Sequence, residues 1–168
     1  VCSSDLQFEK LIPRTAHMKN VPTAPILLQD GAPFSKLEIP SAGISVVVVE
    51  GVKARSLQRA VGHVPGTALP GENGNVGIAG HRDTFFRELR NVKPEDRISL
   101  TTARGTFEYF VEYARIVKPE DIEVLAPTEE PLLTLVTCYP FNYVGSAPER
   151  YIVRARLENP YSALAIQK

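Results

Sequence analysis

From residue 36 onward the chain is a series of short apolar runs broken by closely spaced Gly and Pro, a pattern that favours strands over long helices. Residues 37–40 alternate like a short strand, and residues 43–50 (GISVVVVE) are rich in β-branched side chains, as a buried strand requires. Residues 52–61 carry Val52, Leu57, Ala60 and Val61 between charges and predict one short amphipathic helix. Residues 63–75 (HVPGTALPGENGN) read as a loop, and 76–80 as a strand that delivers His81 at its end. A helical turn is expected over 85–92, and two strands over 97–102 and 106–117 joined at Arg104-Gly105. A short helix opened by Pro119 follows. Residues 132–138 (LLTLVTC) form a strand, 139–149 a long loop, and 150–157 (RYIVRARL) the last strand. The expectation is all-β: a closed barrel of about eight strands with one or two short helices.

Length adds that 168 residues suit one domain with tails, large enough to fold without staples. We divide the chain into an N-terminal tail (1–35), a folded domain (36–158) and a C-terminal tail (159–168). Leu11-Ile12-Pro13-Arg14-Thr15-Ala16-His17-Met18 resembles a protease site with a cloning scar, so residues 1–20 are set aside. Lys plus Arg and Asp plus Glu both number 19, and this neutral balance argues against a nucleic-acid partner. No run of 18 apolar residues exists and no signal peptide is legible, so any membrane anchor is expected upstream of this sequence.

The chemistry starts from two cysteines. Cys2 lies in a polar stretch and Cys138 ends an apolar run; a disulfide between them is not favoured, because chain ends are usually mobile. A single Cys within a domain that also carries His is a candidate nucleophile, against the bland reading of a buried thiol. Three polar residues stand where strands meet loops: His81, Cys138 and Arg150. Attack on a carbonyl needs the thiolate, and a neighbouring imidazole can take and return its proton. An Arg keeps its charge and can orient a carbonyl or stabilise an oxyanion. Strand parity puts Arg150, Ile152 and Arg154 on one face, with Tyr151, Val153, Ala155 and Leu157 on the core face. Cys138 likewise shares a face with Val136 and Thr134.

Thr134-Leu135-Val136-Thr137-Cys138 resembles the TLxTC signature of sortases, and Arg150, twelve positions later, fits the place of their arginine. Gly80-His81-Arg82-Asp83-Thr84-Phe85-Phe86 is similar to their histidine motif, and the order His, Cys, Arg agrees. Cys138-Tyr139-Pro140-Phe141, Val144-Gly145-Ser146-Ala147-Pro148 and Arg150 to Ala155, with the loop 63–71, are most similar to class D sortases. The resemblance covers roughly residues 36–157. It implies an eight-stranded barrel and a Cys-His-Arg transpeptidase that cleaves an LPxTG or LPxTA sorting motif. Cys138 would form a thioester with the motif's Thr, His81 would shuttle protons, and Arg150 would hold substrate and oxyanion. Thr134, Val136, Thr137 and Ile152 are the candidate substrate-binding residues. The implied partners are the sorting peptide of a surface protein and an amine such as a peptidoglycan precursor. The implied location is extracytoplasmic, at the cell surface or periplasm.

Rival readings stand beside these. Thr137 could serve the oxyanion site or simply fill a β position, and Arg154 competes with Arg150. His63 is a second candidate base, with loop orientation as the preferred role. Arg82 and Asp83 are read as a local ion pair or as solvated, with no catalytic part. The glycines of 71–77 lack the Lys-Ser/Thr of a phosphate loop and read as turns. Glu120, Asp121, Glu123, Glu129 and Glu130 are read as a solvated acidic loop in preference to a Ca²⁺ site, and no zinc spacing is present, so no cofactor is expected. Competing functions are an L,D-transpeptidase or other Cys/His peptidase, and a non-catalytic β-barrel binding module.

Overall fold

The structure is a computed structural model and describes residues 28–158. The tail residues 1–27 and 159–168, with Cys2, His17 and the scar-like segment, lie outside the described residues. The described chain closes into an eight-stranded barrel: β1 (Pro33–Ile39), β2 (Ile44–Glu50), β3 (Val61–His63), β4 (Asn75–Ala79), β5 (Arg97–Thr102), β6 (Gly105–Val117), β7 (Leu132–Tyr139) and β8 (Glu149–Leu157). Around the barrel the order is β1-β2-β3-β4-β7-β8-β6-β5. One α-helix, α1 (Ala54–Leu57), and 3₁₀ turns at Pro40–Ala42, Arg87–Asn91 and Ile122–Leu125 complete the described elements.

The pattern of exposure explains the strands. β5 and the first half of β6 alternate between core and solvent, so their sequences alternate too. β4 and β7 are parallel neighbours, and β4 is buried at every residue and β7 at all but its ends. Such doubly covered strands read as continuous apolar runs, which VGIA and LLTLV are. Two apolar clusters account for the two faces. Leu37, Ile39, Leu100, Tyr109, Leu135 and Val153 belong to the barrel interior. Leu57, Leu125, Val136, Cys138, Ala147 and Ile152 belong to a second cluster on the outside of the β4–β7–β8 wall.

One region differs from the sequence expectation. The helix expected over 52–61 is only one turn, and a three-residue strand, β3, follows and pairs parallel to β2 with Val48 opposite Val61. Gly62 makes this possible, because a side chain there would collide with the backbone carbonyl of Gly51. The barrel also begins earlier than the proposed tail boundary, since β1 starts at Pro33.

Candidate active site

Strand register builds the site. β7 and β8 are antiparallel, and Cys138 stands directly opposite Arg150. On the other side β7 runs parallel to β4, with Ala79 level with Val136. The Gly80 N–H donates to the Val136 carbonyl (3.1 Å), carrying the ladder past the end of β4. Cys138 and Arg150 therefore form one cross-strand row, and the chain leaving β4 leads to His81 on the other side of β7. Neighbouring strands lie about 4.8 Å apart, so the backbones of Cys138 and Arg150 are adjacent. Val136 and Ile152 lie opposite each other one row below Cys138 and Arg150, on the same face. This outer face is where the sequence parity placed them.

Local residues hold each member. Gly80 precedes His81 where a Cβ would come within 2.7 Å of the Phe86 ring and 2.9 Å of Val61, so only glycine lets β4 pass there. Thr137 points to the opposite side of β7 from Cys138, and its hydroxyl donates to the Gly80 carbonyl (2.8 Å), tying the histidine segment to the cysteine strand. Arg150 is 3% exposed, and its Nη1 donates to the carbonyls of Ala147 (3.2 Å) and Glu149 (2.9 Å). Burial, with the nearby Arg82 charge, draws its guanidinium below the ordinary arginine range, and Glu120 acts the other way. Cys138 is 1% exposed. Attack on a carbonyl requires this sulfur as the reduced thiol.

The model of the sortase domain family matches residues 37–158, nearly the whole barrel and the entire row. The chain belongs to the sortase family. It is 40% identical over 118 residues to Sortase D of Bacillus subtilis, a match that covers 70% of this chain and 60% of that protein's length. Among solved structures it superposes on a Clostridium perfringens Sortase D5 transpeptidase with TM-score 0.71 and 33% identity, covering 79% of this chain and 82% of that one. It also superposes on Sortase A from Corynebacterium diphtheriae with TM-score 0.74 and 26% identity, covering 92% and 81% of the two chains. The class D likeness read from residues 138–155 agrees with the first two.

The remaining candidates of this sortase separate cleanly. Val136 and Ile152, each 1% exposed, form the floor beneath Cys138. Thr134 does not line an open groove: it is fully enclosed, and its hydroxyl donates to Asn75 Oδ1 (2.6 Å) beneath the 3₁₀ turn Ile122–Leu125. Thr137 is equally enclosed and spends its hydroxyl on Gly80, so its side chain is a brace for the row. Arg154 donates to the Val124 carbonyl (2.8 Å), two rows from Arg150. His63 is buried on the far side of the sheet. Its Nδ1 contacts Glu50 Oε2 (2.7 Å) and its Nε2 contacts the Ala68 carbonyl (2.9 Å), which fixes the loop after β3 as the sequence reading preferred.

Two residues escaped the sequence reading. Asn75 donates from Nδ2 to the carbonyls of Val124 (2.9 Å) and Ala126 (3.2 Å), and so anchors the turn that covers the outer cluster. Arg82, read from the sequence as one half of a local ion pair with Asp83 or as solvated, is 1% exposed and reaches into the loop between β7 and β8. The motif places Arg82 beside His81, but nothing in the letters announces carbonyl partners some 60 residues away. Among the described residues no three of His, Cys, Asp and Glu converge on a metal position, and no helix is long and apolar enough to cross a membrane. A cavity of about 390 Å³ lined by Asn73, Pro131, Leu132 and Arg156 sits at the other end of β7 and shares no residue with the row.

Proposed function

We propose that this sortase is a cysteine transpeptidase in which Cys138 is the nucleophile, His81 the proton carrier and Arg150 the oxyanion partner. The observation that supports the reading is the register that sets Cys138 opposite Arg150 on β8, with β4, which ends two residues before His81, on the other side of β7. With its proton held by His81, the Cys138 sulfur attacks the carbonyl carbon of the Thr in an LPxTG- or LPxTA-like sorting peptide. The carbonyl oxygen becomes an oxyanion facing Arg150, a buried and permanently charged donor whose desolvation strengthens its pull. Collapse breaks the C–N bond; His81 protonates the departing amine, and an acyl thioester remains on Cys138. An incoming amine then gives a proton to His81, attacks the thioester and restores the thiol. Val136 and Ile152 supply the apolar floor under the bond being cut. These steps use sulfur, imidazole and guanidinium and call for no cofactor.

Sortases act at the cell surface. For this chain the proposed acceptor is an amine of a peptidoglycan precursor or of another protein, and the proposed setting is the outer side of a membrane to which the full-length protein is anchored. The test is to incubate the reduced domain with a library of LPxTx peptides and look by mass spectrometry for a mass addition on Cys138. A thioester that hydroxylamine releases, and that Cys138→Ala abolishes, is expected. No adduct with any peptide, despite a reactive thiol, would leave a non-catalytic barrel as the better account.

A further inference from the structure

Arg82 is the largest fully buried side chain in the described barrel, yet its polar contacts are all main-chain carbonyls. Nη1 donates to Pro140 O (2.8 Å), and Nη2 donates to Tyr143 O (2.7 Å) and Gly145 O (3.1 Å). The Tyr143 ring lies 5.9 Å from the guanidinium carbon, within cation–π range. A buried cation without a contacting carboxylate is expensive to keep, so its retention asks for a reason beyond packing. The three acceptors belong to the loop that runs from Cys138 to Arg150. That same loop supplies Ala147 O and Glu149 O, which hold the Arg150 guanidinium. On the chain Arg82 directly follows His81. One side chain thus connects the histidine segment to the loop that seats the arginine.

We infer that Arg82 is a positioning residue: its three hydrogen bonds lock the Cys138–Arg150 loop to the His81 segment and so set where the Arg150 guanidinium points. The inference rests on the transpeptidase reading and adds a part to it. Arg82 touches no reacting atom; it acts through Arg150. Its loss should therefore fall on the chemical step and not on peptide binding. A displacement of about 1 Å in a catalytic group costs on the order of 100-fold in rate.

The experiment compares wild type, Arg82→Ala, Arg82→Lys, Arg150→Ala and the Arg82→Ala/Arg150→Ala double variant as reduced proteins. Each is turned over with the LPxT-type peptide that wild type acylates fastest, and rates are normalised to the thiol titrated by a small alkylating reagent. Arg82→Ala should lower kcat about 100-fold with KM within about threefold. Arg82→Lys, which keeps the charge and reaches some of the carbonyls, should recover about tenfold of the loss. In the Arg150→Ala background Arg82→Ala should cost less than about threefold, because residues acting as one unit are not additive. Amide exchange of residues 140–149 should rise in Arg82→Ala, while β7 stays protected. Additive losses in the double variant, a loss carried wholly by KM, or a loss explained by fewer titratable thiols would each overturn the inference. If Arg82→Lys alone folds, kcat equal to wild type with unchanged exchange would do the same. A wild type that acylates no peptide would instead take down the transpeptidase reading, and this inference with it.

Discussion

Thr134→Val separates two roles that the sequence left joined, substrate contact and internal support. The change is nearly isosteric, so it opens no cavity and isolates the hydroxyl. That hydroxyl donates to Asn75 Oδ1 at 2.6 Å and lies 3.3 Å from Val124 O. The second acceptor loses little, because Asn75 Nδ2 (2.9 Å) and Arg154 Nη2 (2.8 Å) still donate to it. The cost is therefore the orphaned Asn75 Oδ1, on a residue only 2% exposed. An unsatisfied buried acceptor costs about 1–3 kcal/mol, and the added methyl returns just under 1 kcal/mol of burial. The net expectation is a loss of about 1–2 kcal/mol. With a urea slope of about 2 kcal/mol/M, the unfolding midpoint should fall by roughly 0.5–1 M at unchanged slope. Steady-state assays on the folded protein should find KM for an LPxT-type peptide unchanged, since Thr134 is walled off from the row. A variant with wild-type stability and a several-fold higher KM would refute this reasoning and return Thr134 to the groove.

Other substitutions probe the supports of the row. Gly80→Ala drives a methyl into the Phe86 ring and Val61, an overpacking that should cost about 1–3 kcal/mol and lower the melting temperature measured by circular dichroism. Thr137→Val leaves the buried Gly80 carbonyl without its 2.8 Å donor and should destabilise by about 1–2 kcal/mol in urea, while Thr137→Ser keeps most of the stability. His63→Gln breaks a part-buried hydrogen bond with Glu50 and should cost about 1–3 kcal/mol by chemical denaturation, yet leave kcat of the folded fraction within about threefold of wild type. A 100-fold fall in kcat with unchanged stability would make His63 the base after all.

What could be read from the letters, and what could not, follows from the physics of each feature. The β7 and β8 strands were legible as short, β-branched apolar runs bounded by loops, and parity then gave the facing of Cys138, Arg150 and Ile152 without coordinates. Strand β3 was not, since three residues carry no period and its formation depends on Gly62 slipping past the backbone of Gly51. The two threonines of the cysteine motif illustrate a second limit. Parity correctly set Thr134 on the face of Cys138, but a face is not a groove: the 3₁₀ turn Ile122–Leu125 closes over that stretch of it. Arg82 marks a third. A charge in a loop reads as solvated because most are, and the carbonyls that accept from it are presented by a fold, not by a motif.

The same geometry explains why this chemistry suits this barrel. On β7, Leu133 and Leu135 face the interior while Thr134, Val136 and Cys138 face outward; sliding the strand by one residue would turn the sulfur into the core and strand two leucines outside. The burial of those leucines, roughly 1.5–3 kcal/mol each, thus fixes the direction of the thiol as firmly as it fixes the strand. The antiparallel ladder to β8 then sets Arg150 opposite it, and the parallel ladder to β4 ends two residues before His81; neither depends on sequence distance. Reactive alignment is in this sense a by-product of core packing. The parts left to adjust are the segments beyond the ladders, the turn after β4 and the loop before β8, and those are the two that Arg82 joins.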